Sequence, residues 1–594
     1  MLARAEEIIA ACRTFENKYK ELLLKVHPEN KASAKNLIHY LAYRSLNTKK
    51  LYSFLNANGL GAFKDIEDNV MGNLTLIRQL LYILAGKNKT VLHKNRVFPS
   101  IESNAYQEKL NLLFGDKDNK GRSTRIMVTQ PSLAAHRPSL MEEMMDCGMN
   151  CIRINCAHDN QNEWEKMICH SKRIATKKKR NIAITMDLAG PKIRTGSIAP
   201  GPKVLHLAPK KDAQGIAKKA VRLGLLPLSA PYPNSDKDYM HIPLAMFLKL
   251  VPGDEIVCRD NAGKEIKFNV IDVHEEIKWA TCHSSAYLRP GLSLTLLKDT
   301  STYLLGDIPP IQEHLLLKKG DLLNITSKMI DGSPAKYGKQ GKLLRPAQIP
   351  CTSQEVFKDV RSGQSIVFDD GKISGIIRKN CIDHLQIEIT KAKPDGSKLK
   401  SDKGINFPES KLKLSGLTPK DKADLKFVAR HADVVNMSFV NTPDDVRELF
   451  DELKMAGVFN EMAAVLKIET LQGLDNIAAI LLTGMQTRTM GIMIARGDLA
   501  IECGWEKIGI VQQELLKICR AAHTPVVWAT QVLEQLTKKG VPSRAEITDA
   551  IMGQKADCIM LNKGDHITGA IHLLDRILVN LETVKEDHRI FKIS

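Results

Sequence analysis

"NIAITMDLAGPKIRTG" (181–196) decides how this chain is read. Its first half is a short apolar run rich in Ile and Met, the pattern of a strand buried on both faces. Its second half packs Asp187, Lys192 and Arg194 around Gly190, Pro191 and Gly196. A buried strand that ends in a cluster of charges points to a fold whose working surface lies at its strand ends.

Reading outward, the same run recurs as "RIMVTQ" (125–130), "CIRINCA" (151–157), "VVNMSF" (434–439) and "AAVLKIE" (463–469). "GIMIARGDL" (491–499), "TPVVWATQ" (524–531) and "CIMLNKG" (558–564) complete the set. Amphipathic stretches such as "SLMEEMMD" (139–146) and "TPDDVRELFDELKMAG" (442–457) lie between them. Together with 181–189 these make eight strands alternating with helices, so the fold class is α/β and the expected architecture a (β/α)8 TIM barrel. The rhythm breaks once, after the third strand. Residues 196–408 are rich in short β-runs, Gly and Pro and read as an inserted all-β domain. "GDEIVCRDNAGK" (253–264) and "GQSIVFDDGK" (363–372) share one frame, with Ile242-Pro243 and Ile349-Pro350 ahead of them, so the insert reads as duplicated. The expected domains are a helical extension at 1–120, the first three barrel strands at 121–195, the insert, and the remaining five barrel strands at 409–594. Docking or oligomerisation is the default role for the helical region.

Bulk properties narrow the partners. The chain has 594 residues and a net charge of +19, yet its densest basic block is "TKKKR" (176–180). Dispersed charge of this kind suits a small anionic substrate better than nucleic acid. Twelve cysteines in so long a chain make no disulfide framework, and Cys147, Cys151 and Cys156 read as free thiols rather than metal ligands. The first residues show no signal-peptide pattern, and no run of about 18 apolar residues is present to span a membrane. A cytoplasmic protein is expected.

The strand ends gather complementary chemistry. Glu469 and Asp498 offer two hard oxygen ligands for Mg2+ (or Mn2+), a cation that keeps waters and substrate oxygens as its other ligands. Arg153, Arg194 and Lys467 are the cations that phosphoryl transfer needs, because charge spreads over the oxygens of the moving group. Thr530 supplies a hydroxyl that can relay a proton, and the backbone of "ARGDL" can approach an anion closely. The residues read as Mg2+-dependent chemistry on a small phosphorylated acid.

With these residues assembled, the chain resembles the pyruvate kinase family. "GMNCIRINCAHD" is similar to its GMNxxRxNFSHG, "MDLAGPKIRTG" to DTKGPEIRTG, "VFDDGKIS" to DDGxI and "KGINFP" to KGVNLP. "LKIETLQGLDNI", "IARGDLAIE" and "ATQVLEQL…PSRAEITDA" resemble KIENxxGxxNxxEI, VARGDLGVE and ATQMLESM…PTRAExxDV, all in the family's order over residues 125–564. The resemblance implies conversion of phosphoenolpyruvate and ADP to pyruvate and ATP with Mg2+. It implies that Arg153 and Lys467 meet the transferring group, that Glu469 and Asp498 hold the metal, and that Thr530 faces the protonated carbon. By the same motifs Ala495, Arg496, Gly497 and Asp498 bind substrate, while Asn155, His158, Arg194, Lys403 and Asp370 lie on the nucleotide side. A non-catalytic barrel binding phosphoenolpyruvate or nucleotide, or a related enzyme on another enol phosphate or keto acid, are the competing readings.

Departures from the family pattern carry their own expectations. The insert is about twice the family's lid length, and about thirty residues follow the last strand, so the family's effector-binding C-terminal domain is not expected. A homo-oligomer is correspondingly a weaker expectation. The family's potassium site is built from Asn, Ser, Asp and Thr, with a Glu nearby. Here Asn155 and Asp187 remain, Ala157 and Leu188 replace the two hydroxyls, and Lys192 stands in the place of the Glu. An ammonium there repels K+ and can stand in for it, so turnover without K+ is expected.

Overall fold

Eight parallel strands close into a barrel. They are β1 (Arg125–Thr129), β2 (Cys151–Asn155), β3 (Ala183–Asp187), β4 (Val434–Met437), β5 (Ala463–Ile468), β6 (Met490–Ala495), β7 (Val526–Ala529) and β8 (Cys558–Leu561). Each pairs with its neighbour in sequence, and β8 returns to β1 with Arg125 opposite Cys558. The computed structural model describes residues 1–61, 66–86, 103–117, 121–212, 214, 217–233, 238–273 and 277–587. The expected fold class therefore holds, with strands shorter than their apolar runs. "GIMIARGDL" stops being strand at Ala495, and Arg496–Cys503 is a helix that puts Asp498 in its first turn. An acid there suits the positive helix N-terminus.

The outer helices start where their sequences say they should. Thr418 and Thr442 each cap a helix, with Pro at its first position and an Asp three residues on returning a bond to the cap. The other mouth of the barrel is plugged. Helix Asn104–Phe114 drives Tyr106, Leu110, Leu113 and Phe114 against Met127, Cys151, Ala183, Val434 and Cys558 at the strand starts. Chemistry is thereby confined to the C-terminal mouth.

The N-terminal helices pack on their own chain. Helices Leu2–Lys18, Lys31–Ser45, Lys49–Ala57 and Val70–Leu84 share one core, and Ala521 of the barrel helix Ile508–Ala521 belongs to it. Buried Asn36 fastens the junction: its amide donates to the carbonyls of Glu67 and Ala521, and its Oδ1 accepts the Val70 N–H. The apolar stripes of these helices are buried against one another and against Ile518 and Ala521 of that barrel helix.

By contact density the chain forms two compact units, Met1–Ile193 with Glu355–Asn380 and Gly404–Ser594, and Arg194–Gln354 with Cys381–Lys403. The two copies of the repeated frame fold in one order. Ile242-Pro243 ends a strand paired in parallel with Val221–Pro227; a short helix and the hairpin of Glu255–Arg259 with Glu265–Val273 follow. Ile349-Pro350 ends a strand paired in parallel with Leu322–Thr326; a short helix and the hairpin of Ser365–Phe368 with Ile373–Asn380 follow. Even the closing bonds match, Gly253 N–H to Val270 O and Gly363 N–H to Ile377 O, each 2.8 Å. Among the described residues no helix is long and apolar enough to cross a membrane.

Candidate active site

Successive side chains of a strand point to opposite faces, so residues two apart at a strand end share the barrel interior. This rule places Arg153 with Asn155, Thr185 with Asp187, Asn436 with Ser438, and Lys467 with Glu469. Asp187 is the hub and is 1% exposed. Its Oδ2 accepts Nη2 of Arg153 at 2.6 Å and lies 3.3 Å from Nζ of Lys467, while Oδ1 accepts the Asn436 amide. Burial alone would raise this carboxyl, but the charges of Arg153 and Lys467 outweigh it and hold Asp187 below the usual carboxylate range.

The two cations are themselves buried, Arg153 to 7% and Lys467 to 8% exposure. Lys467 donates to Oγ of Ser438 at 2.7 Å and lies 3.3 Å from Oε1 of Glu469. Burial would lower its pKa, yet Glu469 and Asp187 raise it, so the ammonium stays charged. Arg153 also donates to Thr129 Oγ1 at 2.8 Å, and its buried Nε has no acceptor among the described residues. A buried guanidinium donor without a partner is a place for an anionic ligand.

Glu469 and Asp498 form the neighbouring acidic pair. Glu469 is raised first by burial and further by the Asp498 charge, against the opposing pull of Lys467 and the Phe439 N–H. That N–H reaches Oε2 at 2.7 Å because Phe439 holds φ +56°, a strained value for a bulky residue. Two carboxylates whose charges repel match the donor chemistry of a hard divalent cation, so Glu469 and Asp498 fit one. Among the described residues no group of three or more His, Cys, Asp or Glu forms a fuller metal cage. Asp498 is paired with Lys192, whose Nζ lies 2.9 Å from Oδ1. The loop that carries Lys192 passes close to β4 because Gly190 sits at φ +72°, where a Cβ would lie 2.8 Å from Ser438 Cβ.

On the far side, Thr530 Oγ1 accepts the Gly497 N–H at 2.8 Å. Arg496 turns away from the barrel axis to brace this turn. It bonds the carbonyls of Ala529 and Thr530, pairs with Asp549 and stacks over Trp528 at 4.5 Å. Ala495 is the last residue of β6 and is buried.

The residues expected around a monovalent cation are used otherwise. Asn155 Oδ1 accepts the Ala157 N–H, Asp187 is taken by Arg153, Lys467 and Asn436, and Lys192 bonds Asp498. Of the nucleotide-side residues, Asn155, His158 and Asp370 belong to the first unit and Arg194 and Lys403 to the second. Within that second unit Arg194 Nη1 donates to the Asp402 carbonyl at 3.1 Å, and the Lys403 N–H to Thr195 Oγ1 at 2.8 Å. Thr129, Asn436, Ser438 and the Phe439 N–H also belong to the site, and sequence reasoning misses all four. The polar alternation in "NMSF" is the available signal for two of them, Asn436 and Ser438.

Comparison with known proteins identifies the family. The family model described as "Pyruvate kinase, barrel domain" matches residues 121–284 and 313–571. The pyruvate kinase of Thermotoga maritima is 25% identical over 476 residues, covering 79% of this chain and 73% of its own. That of Geobacillus stearothermophilus is 31% identical over 314 residues, covering 51% and 49%. That of Staphylococcus aureus (strain USA300) is 30% identical over 295 residues, covering 47% and 46%. The match thus spans about half the length of the last two relatives. A barrel with this strand-end chemistry, matched by that model over most of its length, assigns the chain to the pyruvate kinase family.

Proposed function

We propose that this chain transfers the phosphoryl group of phosphoenolpyruvate to ADP, yielding pyruvate and ATP, with a divalent metal and without a requirement for K+. The observation that carries this reading is the buried pair of Arg153 and Lys467 held over Asp187. Their positions are fixed by Thr129, Ser438 and Glu469, so the positive charge is in place before the phosphoryl group arrives and costs no reorganisation. Held by Glu469 and Asp498, Mg2+ or Mn2+ would neutralise charge on the phosphoryl oxygens. The P–O bond to the enol oxygen breaks as one forms to the terminal phosphate oxygen of ADP. Thr530 then serves the proton that reaches the enolate carbon. Its Oγ accepts from Gly497, which leaves the hydroxyl proton for another acceptor.

Independence from K+ is supported by the same contacts. The oxygens of Asn155 and Asp187 are engaged by protein donors, and Ala157 and Leu188 supply no hydroxyl. Lys192 brings its own ammonium beside this region. A cytoplasmic setting is supported by twelve cysteines that are all free. The test is a coupled assay for pyruvate with Mg2+, with and without K+, beside Lys467→Ala. Pyruvate formation lost in the variant is the expected result. Strong stimulation by K+ would overturn the K+ reading, and no pyruvate under any condition would overturn the reaction.

A further inference from the structure

Asp498 already holds a cation. Nζ of Lys192 lies 2.9 Å from Oδ1 and 3.2 Å from Oδ2, so one ammonium covers both oxygens that a metal would use. This pair differs from the others in the site. Arg153 and Lys467 are locked by several partners each, whereas the Lys192 side chain is 25% exposed and the Asp498 carboxylate 18%. The Lys192 backbone is anchored by its N–H on Gly190 O at 2.9 Å, behind Pro191, so any motion falls to the side chain.

That side chain has a second destination. Its stem runs along Gly404, where an added Cβ would meet Lys192 Cε at 3.3 Å. Nζ of Lys192 and Oδ1 of Asp370 each lie 4.0 Å from that same point. Asp370 is exposed and sits in the tight "FDDGK" turn at φ +54°. A change of lysine rotamer moves Nζ by several ångström, about the scale of these separations.

We propose that Lys192 is a displaceable counter-ion, a positioning residue that neutralises Asp498 in the metal-free chain and passes to Asp370 when a divalent cation takes Asp498. This rests on the assignment of Asp498 to the metal in the proposed function. An ammonium and a divalent cation repel each other at one carboxylate, so the metal meets only the fraction of molecules in which Lys192 has left. Its apparent affinity is lowered by that fraction, and Lys192 sets a threshold for metal binding. Asp370 lowers the threshold by accepting the displaced charge.

The test is a titration of the full chain with Mn2+ alone, following free Mn2+ by electron paramagnetic resonance without substrates. Lys192→Met is expected to bind Mn2+ about tenfold more tightly than wild type, and Asp370→Asn several-fold more weakly. Lys192→Gln and circular dichroism of each variant check that folding is intact. Repeating the titration in about 1 M salt separates contact from distant charge, because screening there acts beyond about 3 Å. A persisting gain supports the proposal. Equal or weaker binding in Lys192→Met, loss of its gain at high salt, or wild-type affinity in Asp370→Asn overturns it. No Mn2+ binding to wild type or Lys192→Met overturns it together with the metal assignment. The expected affinities without pyruvate formation uphold it and sink only the proposed reaction.

Discussion

The hydroxyl oxygen of Thr530 accepts the N–H of Gly497 at 2.8 Å, joining the turn after β7 to the helix that follows β6. Thr530, Gln531 and Leu533 all hold positive φ, between +47° and +65°, and Arg496 clamps the turn through two carbonyls. Strain of this kind persists only where the surroundings over-determine it. Thr530→Ala is expected to lower kcat about 10²-fold with little change in KM for phosphoenolpyruvate, and Thr530→Ser to keep most activity. Steady-state kinetics decide; equal losses in both variants would count against a hydroxyl role.

Lys467→Met removes the charge between two buried carboxylates. Without it Asp187 keeps Arg153 but Glu469 loses its cation, so kcat should fall about 10³-fold and stability by about 3 kcal/mol. Single-turnover measurements and urea unfolding report the two effects separately. A variant stable as wild type would mean that the acids are neutralised in some other way.

Glu502, one helical turn beyond Asp498, is pushed up to about 7 by burial, with the Asp498 charge adding and bonds from Asn406 and the Leu471 N–H opposing. In the unfolded chain it titrates near its ordinary value of 4.5. The folded state therefore holds its proton more tightly, and the stability this brings is full below about 4.5 and lost as pH rises through about 7. Glu502→Gln keeps the acceptor for Asn406 and drops the titration. Its advantage in unfolding free energy over wild type, measured by urea unfolding, should grow across that window, approaching the order of 3 kcal/mol, and stay level above it. A difference that does not vary with pH would contradict the shift.

Asn36 makes three hydrogen bonds at the junction of the N-terminal helices with the barrel. Asn36→Ala leaves buried backbone groups unpaired and should loosen that junction by about 2 kcal/mol. Hydrogen exchange should then quicken across helices Lys31–Ser45, Lys49–Ala57 and Val70–Leu84 while the barrel strands keep their protection. Exchange that quickens everywhere would show that the helices and barrel unfold as one.

The barrel and much of its site are legible without coordinates because strand alternation is a local rule. Arg153 with Asn155 and Lys467 with Glu469 announce an inward polar face by spacing alone. Ser438 escapes such a reading because a hydroxyl in an apolar run resembles ordinary strand filling, and its value comes from Lys467 on the next strand. The Phe439 N–H carries no sequence signal, since it reaches Glu469 only through a positive φ.

Lys192 marks where such reading ends. By itself the sequence determined that eight apolar runs form strands, that their polar ends converge at one mouth, and that a lysine follows Gly190 and Pro191. It could not say which carboxylate that lysine meets. Asp498 lies 306 residues further along the chain, and Asn155 and Asp187 were equally plausible partners by motif. Tertiary structure decided it, through the close passage of the Gly190 loop over β4 and the prior claim of Arg153 and Lys467 on Asp187. Local periodicity fixes which way a side chain faces; pairing among buried charges depends on every other charge that reaches the same space.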